Sequence, residues 1–360
     1  NHVAQGGTEA RALDVRLRTG ADAARTLPER LRLTVNADAK QVDAPGVFLF
    51  EPALRLSYEQ RRGTLSFATS PRNDTGPIEV EADLRTFDLR NELIIKHIRA
   101  VAGPHEWRTR QPSTWQLYAN RVTATPLRLT STAALPNRAE VEQSIVIDGG
   151  FSPDPDDALR VQMRNVQLLP LSQLAGWAQP LGGEVNGTVA VRGTWTRPIG
   201  TGRVAVDELS FDRRLLGDLA LDARYVAGAP DVQLGLSLRP NPEVSAPKDA
   251  TEALVPGGIQ YVEENRLDLQ GRVRVAEEAA GWAEGEWLDL TLDIGRADLF
   301  FFDFIFNDVL SDIEGATQGE ATITGRLSRP VFDASLTVDG AFSIPRFGLS
   351  YALEGPVQVD

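Results

Sequence analysis

The segment 148–157, with the sequence DGGFSPDPDD, is the best candidate for cation chemistry in this chain. Asp154, Asp156 and Asp157 offer carboxylate oxygens, which are ligands that Ca²⁺ prefers. The segment lacks the bidentate glutamate that closes an EF-hand loop, and its two prolines are typical of a tight turn. We therefore expect a plain acidic turn here and no metal site.

Other residues for metal or nucleophilic catalysis are sparse. The sequence has no cysteine, which excludes thiolate chemistry and disulfides. His2, His97 and His105 have no carboxylate at the spacing of a zinc site, and no Gly-x-Ser-x-Gly motif marks a hydrolase nucleophile. The segment 182–187, GGEVNG, is similar to a phosphate loop but leads into a predicted strand, so we expect a strand-opening turn there. We predict neither enzyme activity nor a cofactor.

The composition narrows the class of protein. The chain has 360 residues, of which 42% are hydrophobic, and a formal net charge of −13. A polyanion is not attracted to nucleic acid or to an anionic membrane surface, so we expect neither as a partner. No apolar run approaches the ~18 residues of a membrane span. Because the sequence has no signal peptide and does not begin with Met, we expect a piece of a longer protein whose membrane anchor lies elsewhere.

Apolar and polar residues alternate along most of the chain, as at Leu267, Leu269, Gly271, Val273 and Val275. Successive side chains of a strand point to opposite faces, so each such segment has one apolar face and one wet face. The 31 Gly and 22 Pro residues cluster between these segments and are typical of turns. The pattern predicts a turn-rich β-structure.

A sequence repeat covers 187–198 (GTVAVRGTWTRP) and 319–330 (GEATITGRLSRP), within wider copies at 183–211 and 315–344. The identical positions are Gly187/Gly319, Gly193/Gly325, Arg197/Arg329 and Pro198/Pro330. An internal repeat indicates that the chain grows by adding similar units. The repeat is clear only in 166–360, whereas 1–165 carries a weaker signal.

Three segments have helical character. Leu168–Trp177 and Leu299–Ile313 each precede a copy of the repeat, and Phe87–Val101 also favours a helix over a strand. The phenylalanine cluster Phe300–Phe306 makes the second of these helices apolar almost all round. We expect this helix to lie buried on the sheet, with a plug or docking element as the alternative.

The last repeat unit carries a family resemblance. SDIEG at 311–315, the repeat at 319–330, FGLSY at 347–351 and GPV at 355–357 together resemble the C-terminal repeat region of the TamB family, in the AsmA-like group. Residues 103–170 are similar to the family more loosely.

The resemblance implies a β-taco, in which a long sheet curls into a trough that is apolar inside and polar outside. It also implies a periplasmic protein of a Gram-negative bacterium, anchored in the inner membrane and working with an Omp85-type partner of the outer membrane. Members of this family are implicated in phospholipid movement and in outer-membrane protein assembly. No catalytic residues follow from the resemblance.

We therefore predict an all-β fold, an elongated and curled antiparallel sheet with an open groove and a few short helices. The groove is expected to bind phospholipid acyl chains, since such strands need a covering layer that the few helices cannot supply. Its predicted lining comprises Val189, Val191, Trp195, Val204, Val206, Leu219, Leu221, Leu234, Leu236, Leu267, Leu269, Val273, Leu288, Leu290, Ala321, Ile323, Leu327, Leu336 and Val338.

Two alternatives remain open at this point. In the first, the module assembles outer-membrane proteins, and a sheet edge or the groove binds a strand of a client or of the Omp85-type partner. In the second, the apolar faces pack against each other in an ordinary β-sandwich.

Overall fold

The computed structural model consists almost entirely of β-strands. It describes residues 2–5, 8–11, 14–19, 32–44, 47–71, 75–133, 141–154, 156–174, 181–194, 197–211, 214–225, 231–241, 260–261, 265–274, 287–299, 311–326, 329–344 and 349–359. The chain divides into two compact units, residues 1–199 and 200–360. The sequence boundary predicted at 165/166 lies within the first unit.

Unit 1 contains sixteen described strands and one described helix. They are β1 (His2–Gln5), β2 (Thr8–Arg11), β3 (Asp14–Thr19), β4 (Arg32–Asp38), β5 (Gln41–Ala44), β6 (Val47–Phe50), β7 (Ala53–Glu59), β8 (Arg62–Ala68), β9 (Thr75–Thr86), β10 (Asn91–Ala102), β11 (His105–Thr109), β12 (Ser113–Leu117), β13 (Val122–Ala133), β14 (Val141–Phe151), β15 (Leu159–Gln167), α1 (Leu168–Leu174) and β16 (Leu181–Thr194).

Most strands of unit 1 form one antiparallel sheet. Its order is β3-β4-β7-β8-β9-β10, then the short strands β11 and β12, which both lie between β10 and β13, then β14-β15-β16. The strands β1, β2, β5 and β6 form a separate four-stranded sheet. Sequential strands are therefore neighbours throughout the main sheet, apart from the excursion through β5 and β6.

Unit 2 is built in the same way. Its strands are β17 (Arg197–Phe211), most of which lies in this unit, β18 (Arg214–Tyr225), β19 (Asp231–Arg239), β20 (Gln260–Tyr261), β21 (Arg266–Arg274), β22 (Trp287–Asp298), β23 (Ser311–Arg326), β24 (Arg329–Ile344) and β25 (Leu349–Val359). The order β17-β18-β19-β21-β22-β23-β24-β25 is antiparallel at every step. The short strand β20 pairs in parallel with β18.

The prediction of an all-β antiparallel fold is confirmed. Among the described residues the only helix is α1, which begins at Leu168 as expected, with Pro170 in its first turn. The predicted end of this helix at Trp177 lies outside the described residues. So does the Phe300–Phe306 cluster, although Ile313, the last residue of that predicted helical stripe, belongs to strand β23.

Two local predictions were wrong. Phe87–Val101 is not helical, because Phe87 donates its backbone N–H to the carbonyl of Arg90 at 2.8 Å in a turn, and strand β10 follows. Several β-branched residues in this segment favour a strand, and they pack well on a pleated surface. The segment 182–187 is not a strand-opening turn, since β16 already begins at Leu181.

The sequence repeat has a matching backbone repeat. Gly183 and Gly315 occupy equivalent positions and have φ angles of 125° and 115°, while Gly193 and Gly325 have φ angles of 93° and 91°. These angles lie in a region that side chains with a Cβ rarely adopt. In each copy two residues separate the end of one strand from the start of the next, between 194 and 197 and between 326 and 329.

Gly315 provides a test of this backbone constraint. A Cβ on Gly315 would lie 2.2 Å from the carbonyl oxygen of Asp339, whereas one on Gly235, within strand β19, would meet nothing within 4 Å. We expect Gly315→Ala to lower the free energy of unfolding by about 1–3 kcal/mol and Gly235→Ala to be neutral or slightly stabilising. Urea unfolding of both variants checks this, and equal stabilities would contradict it.

Candidate functional site

The candidate site is the apolar face of the strands, which the register aligns into rows. Directly opposed residues of paired strands share a face, so each row can be followed across unit 2. One row contains Val204, Leu221, Leu236, Leu269, Leu292, Ala321, Ala334 and Val359. The next contains Val206, Leu219, Leu238, Leu267, Ile294, Gly319, Leu336 and Val357.

Two further rows lie on this face of unit 2. The third contains Gly202, Ala223, Leu234, Gly271, Leu290, Ile323 and Phe332. The fourth contains Val232, Val273, Leu288, Gly325 and Pro330. None of the four rows contains a charged residue, so the face is a continuous apolar surface several side chains wide.

Exposure varies across this face. Leu290 and Ile294 on β22 are buried, with relative exposures of 8% and 6%. Toward the outer strands the same face opens, and Leu221 on β18, Phe332 on β24 and Leu353 on β25 are exposed by 37%, 49% and 42%. Apolar surface is thus available to a ligand mainly at the outer strands of the unit.

The opposite face of unit 2 is charged and paired. Arg272 on β21 contacts Asp289 on β22 at 2.9 Å, and Arg239 contacts Asp268 at 2.5 Å. Asp222 accepts hydrogen bonds from Arg224 and from Arg203, and these guanidinium groups lower the pKa of its carboxyl below the usual value. The residues that separate the apolar positions therefore form a wet surface of cross-strand ion pairs.

Unit 1 carries an equivalent apolar face. One of its rows runs through Leu33, Tyr58, Gly63, Leu84, Leu93, Trp115, Ala124, Gly149, Leu159 and Val191. A parallel row contains Leu127, Ile147, Val161 and Val189. At the other end of this sheet, Val15 and Leu17 on β3 are more than half exposed.

The predicted lining residues are distributed over both units. Val189 and Val191 lie on the apolar face of unit 1, and the others that the structure describes lie on the apolar face of unit 2. Trp195 and Leu327 lie outside the described residues. Thr322 and Thr324, which alternate with Ala321 and Ile323, are exposed on the opposite face. Whether the lining contacts lipid stays a prediction.

A polar cluster interrupts the apolar face of unit 1. It consists of His105 and Trp107 on β11, Ser131 on β13 and Gln143 on β14, and all four residues are buried. Ser131 is opposite Gln143 in the register, and Gln143 Nε2 lies 2.9 Å from His105 Nδ1. No sequence motif marks this cluster, although the alternation along β11 places His105 and Trp107 on the same face.

The hydrogen bonds of this polar cluster define the protonation of His105. The backbone N–H of Gln167 donates to Gln143 Oε1 at 3.1 Å, so the amide oxygen faces β15 and the amide Nε2 faces His105. Because Nε2 can only donate, His105 Nδ1 must accept, and its single proton lies on its own Nε2. Burial lowers the pKa of His105, in agreement with a neutral ring.

The opposite face of β11 is ionic. Glu106 lies between Arg108, which donates to its carboxylate at 2.6 Å, and Arg99. These two hydrogen bonds lower the pKa of Glu106 to about 2. The contribution of the Glu106 carboxylate to the free energy of unfolding is therefore complete above its ordinary pKa of 4.5 and declines as the pH falls from there toward 2.

The acidic residues for which a turn was expected, Asp154, Asp156 and Asp157, lie between β14, which ends at Phe151, and β15, which begins at Leu159. The Ser152 hydroxyl donates to Asp157 at 2.7 Å, and the backbone N–H of Asp156 donates to Asp154 at 3.0 Å. Arg121 lies 3.4 Å from Asp157. These carboxylates stabilise the turn, and the described part of the chain contains no group of three or more His, Cys, Asp or Glu residues arranged to hold a metal ion.

A cavity of about 690 Å³ lies away from the apolar rows. It is lined mainly by residues of the polar face at one end of β22, β23 and β24, among them Arg296, Asp298, Glu314 and Asp339. With three carboxylates and one guanidinium, this cavity suits water and not an apolar ligand.

Comparison of the chain with protein-family models, with curated proteins and with solved structures finds no match. Among the described residues, no helix has the length and apolar character needed to span a membrane.

The protonation of His105 leads to a pH prediction. In the unfolded chain the His105 imidazole takes up a proton near pH 6.5, whereas burial in the folded state lowers its pKa. We therefore expect the free energy of unfolding to decline as the pH falls below about 6.5. Gln143→Glu replaces the amide donor with a carboxylate acceptor and should raise the pKa of His105. NMR titration of the His105 ring checks both expectations, and a pKa above 6.5 in the unsubstituted protein would contradict the first.

Proposed function

We propose that this chain is part of a TamB-like periplasmic protein that offers apolar faces to phospholipid acyl chains moving between the inner and outer membranes. The observation that carries this proposal is the set of four apolar rows in unit 2, which contain no charged residue. The family resemblance of the repeat units supports the periplasmic location.

The dimensions of this face suit an extended hydrocarbon chain. The two longest rows cross eight strands, and at a spacing of about 4.8 Å this gives a strip about 34 Å long. Neighbouring rows are about 7 Å apart, since same-face residues of a strand are separated by two residues. An acyl chain gains about 0.8 kcal/mol for each CH₂ group that it buries.

The chemistry of the rows suits movement as well as binding. Apolar contacts are non-directional, so an acyl chain that advances by one strand exchanges one set of methyl contacts for a similar set. The charged face and the net charge of −13 offer no attraction to an anionic headgroup. We infer that the protein binds lipid by its tails and leaves phosphate groups in water.

Two partners belong to this proposal. An Omp85-type protein is the proposed partner at the outer membrane, and an inner-membrane anchor is proposed to lie outside this chain. Both are implied by the family resemblance. The alternative function is the assembly of outer-membrane proteins, and a pull-down with the Omp85-type partner distinguishes it from lipid transfer.

The direct test is mass spectrometry of the lipids that co-purify with the folded chain. We expect phospholipids at a defined ratio to protein. Absence of lipid, from a preparation in which circular dichroism shows an intact β-structure, would contradict the proposal.

A charge on the apolar face should block lipid binding. Ile323 is half-buried in the third row, whereas its neighbour Thr322 is exposed on the opposite face. A carboxylate among apolar side chains costs several kcal/mol unless it is hydrated, so we expect Ile323→Asp to lose most of the bound lipid. Thr322→Asp adds the same charge to the wet face and should keep it. Lipid content per folded protein is the measurement.

Binding of the outer-membrane partner separates the two functions. Strand pairing depends mainly on main-chain hydrogen bonds at a sheet edge, so a pull-down with the Omp85-type partner should be unaffected by Ile323→Asp. Unchanged lipid content with lost partner binding would favour the assembly module over lipid transfer.

A further inference from the structure

Helix α1 lies across one end of the apolar face of unit 1. It contacts β16, which follows it in the chain, and also β10, and the strands β11, β13, β14 and β15 lie between these two in the sheet. Pro170 and Ser172 of the helix are buried. Ala102 on β10, Val166 on β15 and Val185 on β16 are buried as well. The helix therefore covers this end of the apolar face, including the polar cluster around His105.

On one side, α1 is continuous with the sheet. The pairing of β15 with β16 extends to Gln167, the residue before the helix, which lies opposite Glu184. The backbone N–H of Leu181, the first residue of β16, donates to the Ser172 hydroxyl at 3.3 Å. This hydroxyl itself donates to the carbonyl of Leu169 at 2.9 Å. The helix and the adjoining ends of β15 and β16 therefore form one connected piece.

On the other side, only side chains join this piece to β14. The pairing of β14 with β15 ends at Ser144 opposite Arg164. Beyond that pair, the backbone N–H of Gln167 donates to Gln143 Oε1 at 3.1 Å, and Asn165 Nδ2 donates to the backbone carbonyl of β14 at residue 142, at 3.2 Å. The Gln143 amide thus stands between His105 and the start of α1.

This amide can satisfy both neighbours only while His105 is neutral. Gln143 Nε2 donates to His105 Nδ1, and a protonated imidazole has a donor at both of its ring nitrogens. If the amide reversed, its oxygen would accept from the ring, but its nitrogen would then face the backbone N–H of Gln167, which is also a donor. In either orientation, protonation of His105 removes one of the two hydrogen bonds.

No charge on this face compensates for a protonated His105. Helix α1 has no charged side chain, and the described residues that share the face of His105 on β10, β13, β14, β15 and β16 are all uncharged. Burial accordingly lowers the pKa of His105. The nearest charged side chains of these strands and of β11 project from the opposite face and are Arg99, Glu106, Arg108, Glu142, Arg164 and Glu184.

We propose that α1 is a lid over the apolar face of unit 1, held closed through the Gln143 amide and released when His105 is protonated. Release hydrates the imidazole, so each pH unit below 6.5 favours the open state by up to about tenfold. Opening uncovers Ala102, Val166 and Val185. That this surface then takes up acyl chains rests on the proposed function, whereas the release of the helix does not.

Hydrogen–deuterium exchange of the full chain tests the release. Exchange of residues 166–174, corrected for the intrinsic pH dependence of amide exchange, is measured by mass spectrometry at about pH 7.5 and about pH 5.5. We expect the protection of this segment to fall by about three- to tenfold at the lower pH, while β7 and β8, elsewhere in the same sheet, keep theirs. Equal protection at both pH values, or a parallel loss in β7 and β8, would overturn the proposal.

Substitution of His105 assigns the pH effect to this residue. His105→Asn keeps a side-chain oxygen that can accept from Gln143 but takes up no proton in this pH range, so residues 166–174 should stay protected at both pH values. His97→Asn is the matched control, because His97 on β10 lies opposite Glu81 on the other face of the sheet, and it should leave the pH effect intact. A pH effect that persists in His105→Asn would refute the assignment.

Substitution of Gln143 tests its role in holding the helix. Gln143→Leu removes both side-chain hydrogen bonds of the amide and should lower the protection of residues 166–174 already at about pH 7.5, with β7 and β8 unaffected. Protection equal to that of the unsubstituted protein would show that the amide does not hold the lid.

Lipid binding separates this inference from the proposed function. The same preparations are incubated with diacyl phosphatidylcholine vesicles, and bound phospholipid per folded protein is measured at both pH values. We expect more phospholipid at the lower pH, and no such difference in His105→Asn. If the helix is released and no phospholipid binds at either pH, the proposed function fails and the lid stands. If phospholipid binds while the protection of residues 166–174 does not depend on pH, the lid is refuted and the proposed function stands.

Discussion

The register between neighbouring strands is the constraint on which the rest of the structure depends. A slip of one residue between any two strands would move leucines and valines to the wet face and place Arg272 or Asp289 among apolar side chains. Both faces oppose such a slip, but unequally. A surface ion pair contributes about 0–1 kcal/mol, whereas a buried leucine contributes about 1.5–3 kcal/mol. The apolar rows therefore define the register, and the ion pairs of the opposite face follow from it.

The polar cluster of unit 1 is the main departure from this rule. Gln143 joins three strands, since its amide nitrogen contacts His105 on β11 and its amide oxygen accepts from the backbone of β15. Such a network gives this part of the sheet a directional interaction that leucine rows cannot supply. Its neighbours Trp107 and Ser131 remain unpaired within the described residues. A costly local arrangement inside an otherwise uniform face is typical of a functional position.

Much of the fold could be predicted from the sequence, because a period of two in the side chains translates directly into strands with two distinct faces. The alternation at Leu267, Leu269 and Val273 thus gave the correct face of β21. The helix predicted for Phe87–Val101 was wrong because the spacing of its isoleucines and valines fits both a helical and a strand period. Pairing with β9 makes this segment a strand. The polar cluster could not be predicted, since its hydrogen bonds join residues 38 positions apart in sequence, and alternation carries no information about such partners.

The two-residue separations inside the repeat copies affect how such a sheet changes in length during evolution. Two residues separate the end of β23 at Arg326 from the start of β24 at Arg329, and the first copy has the same spacing. Duplication of such a unit adds strands in pairs, so every later strand keeps its direction and the parity of its apolar residues. Gene duplication or deletion can then lengthen or shorten the sheet without a new interface having to be selected. Under the proposed function, the number of hairpins would set the distance that the sheet can span.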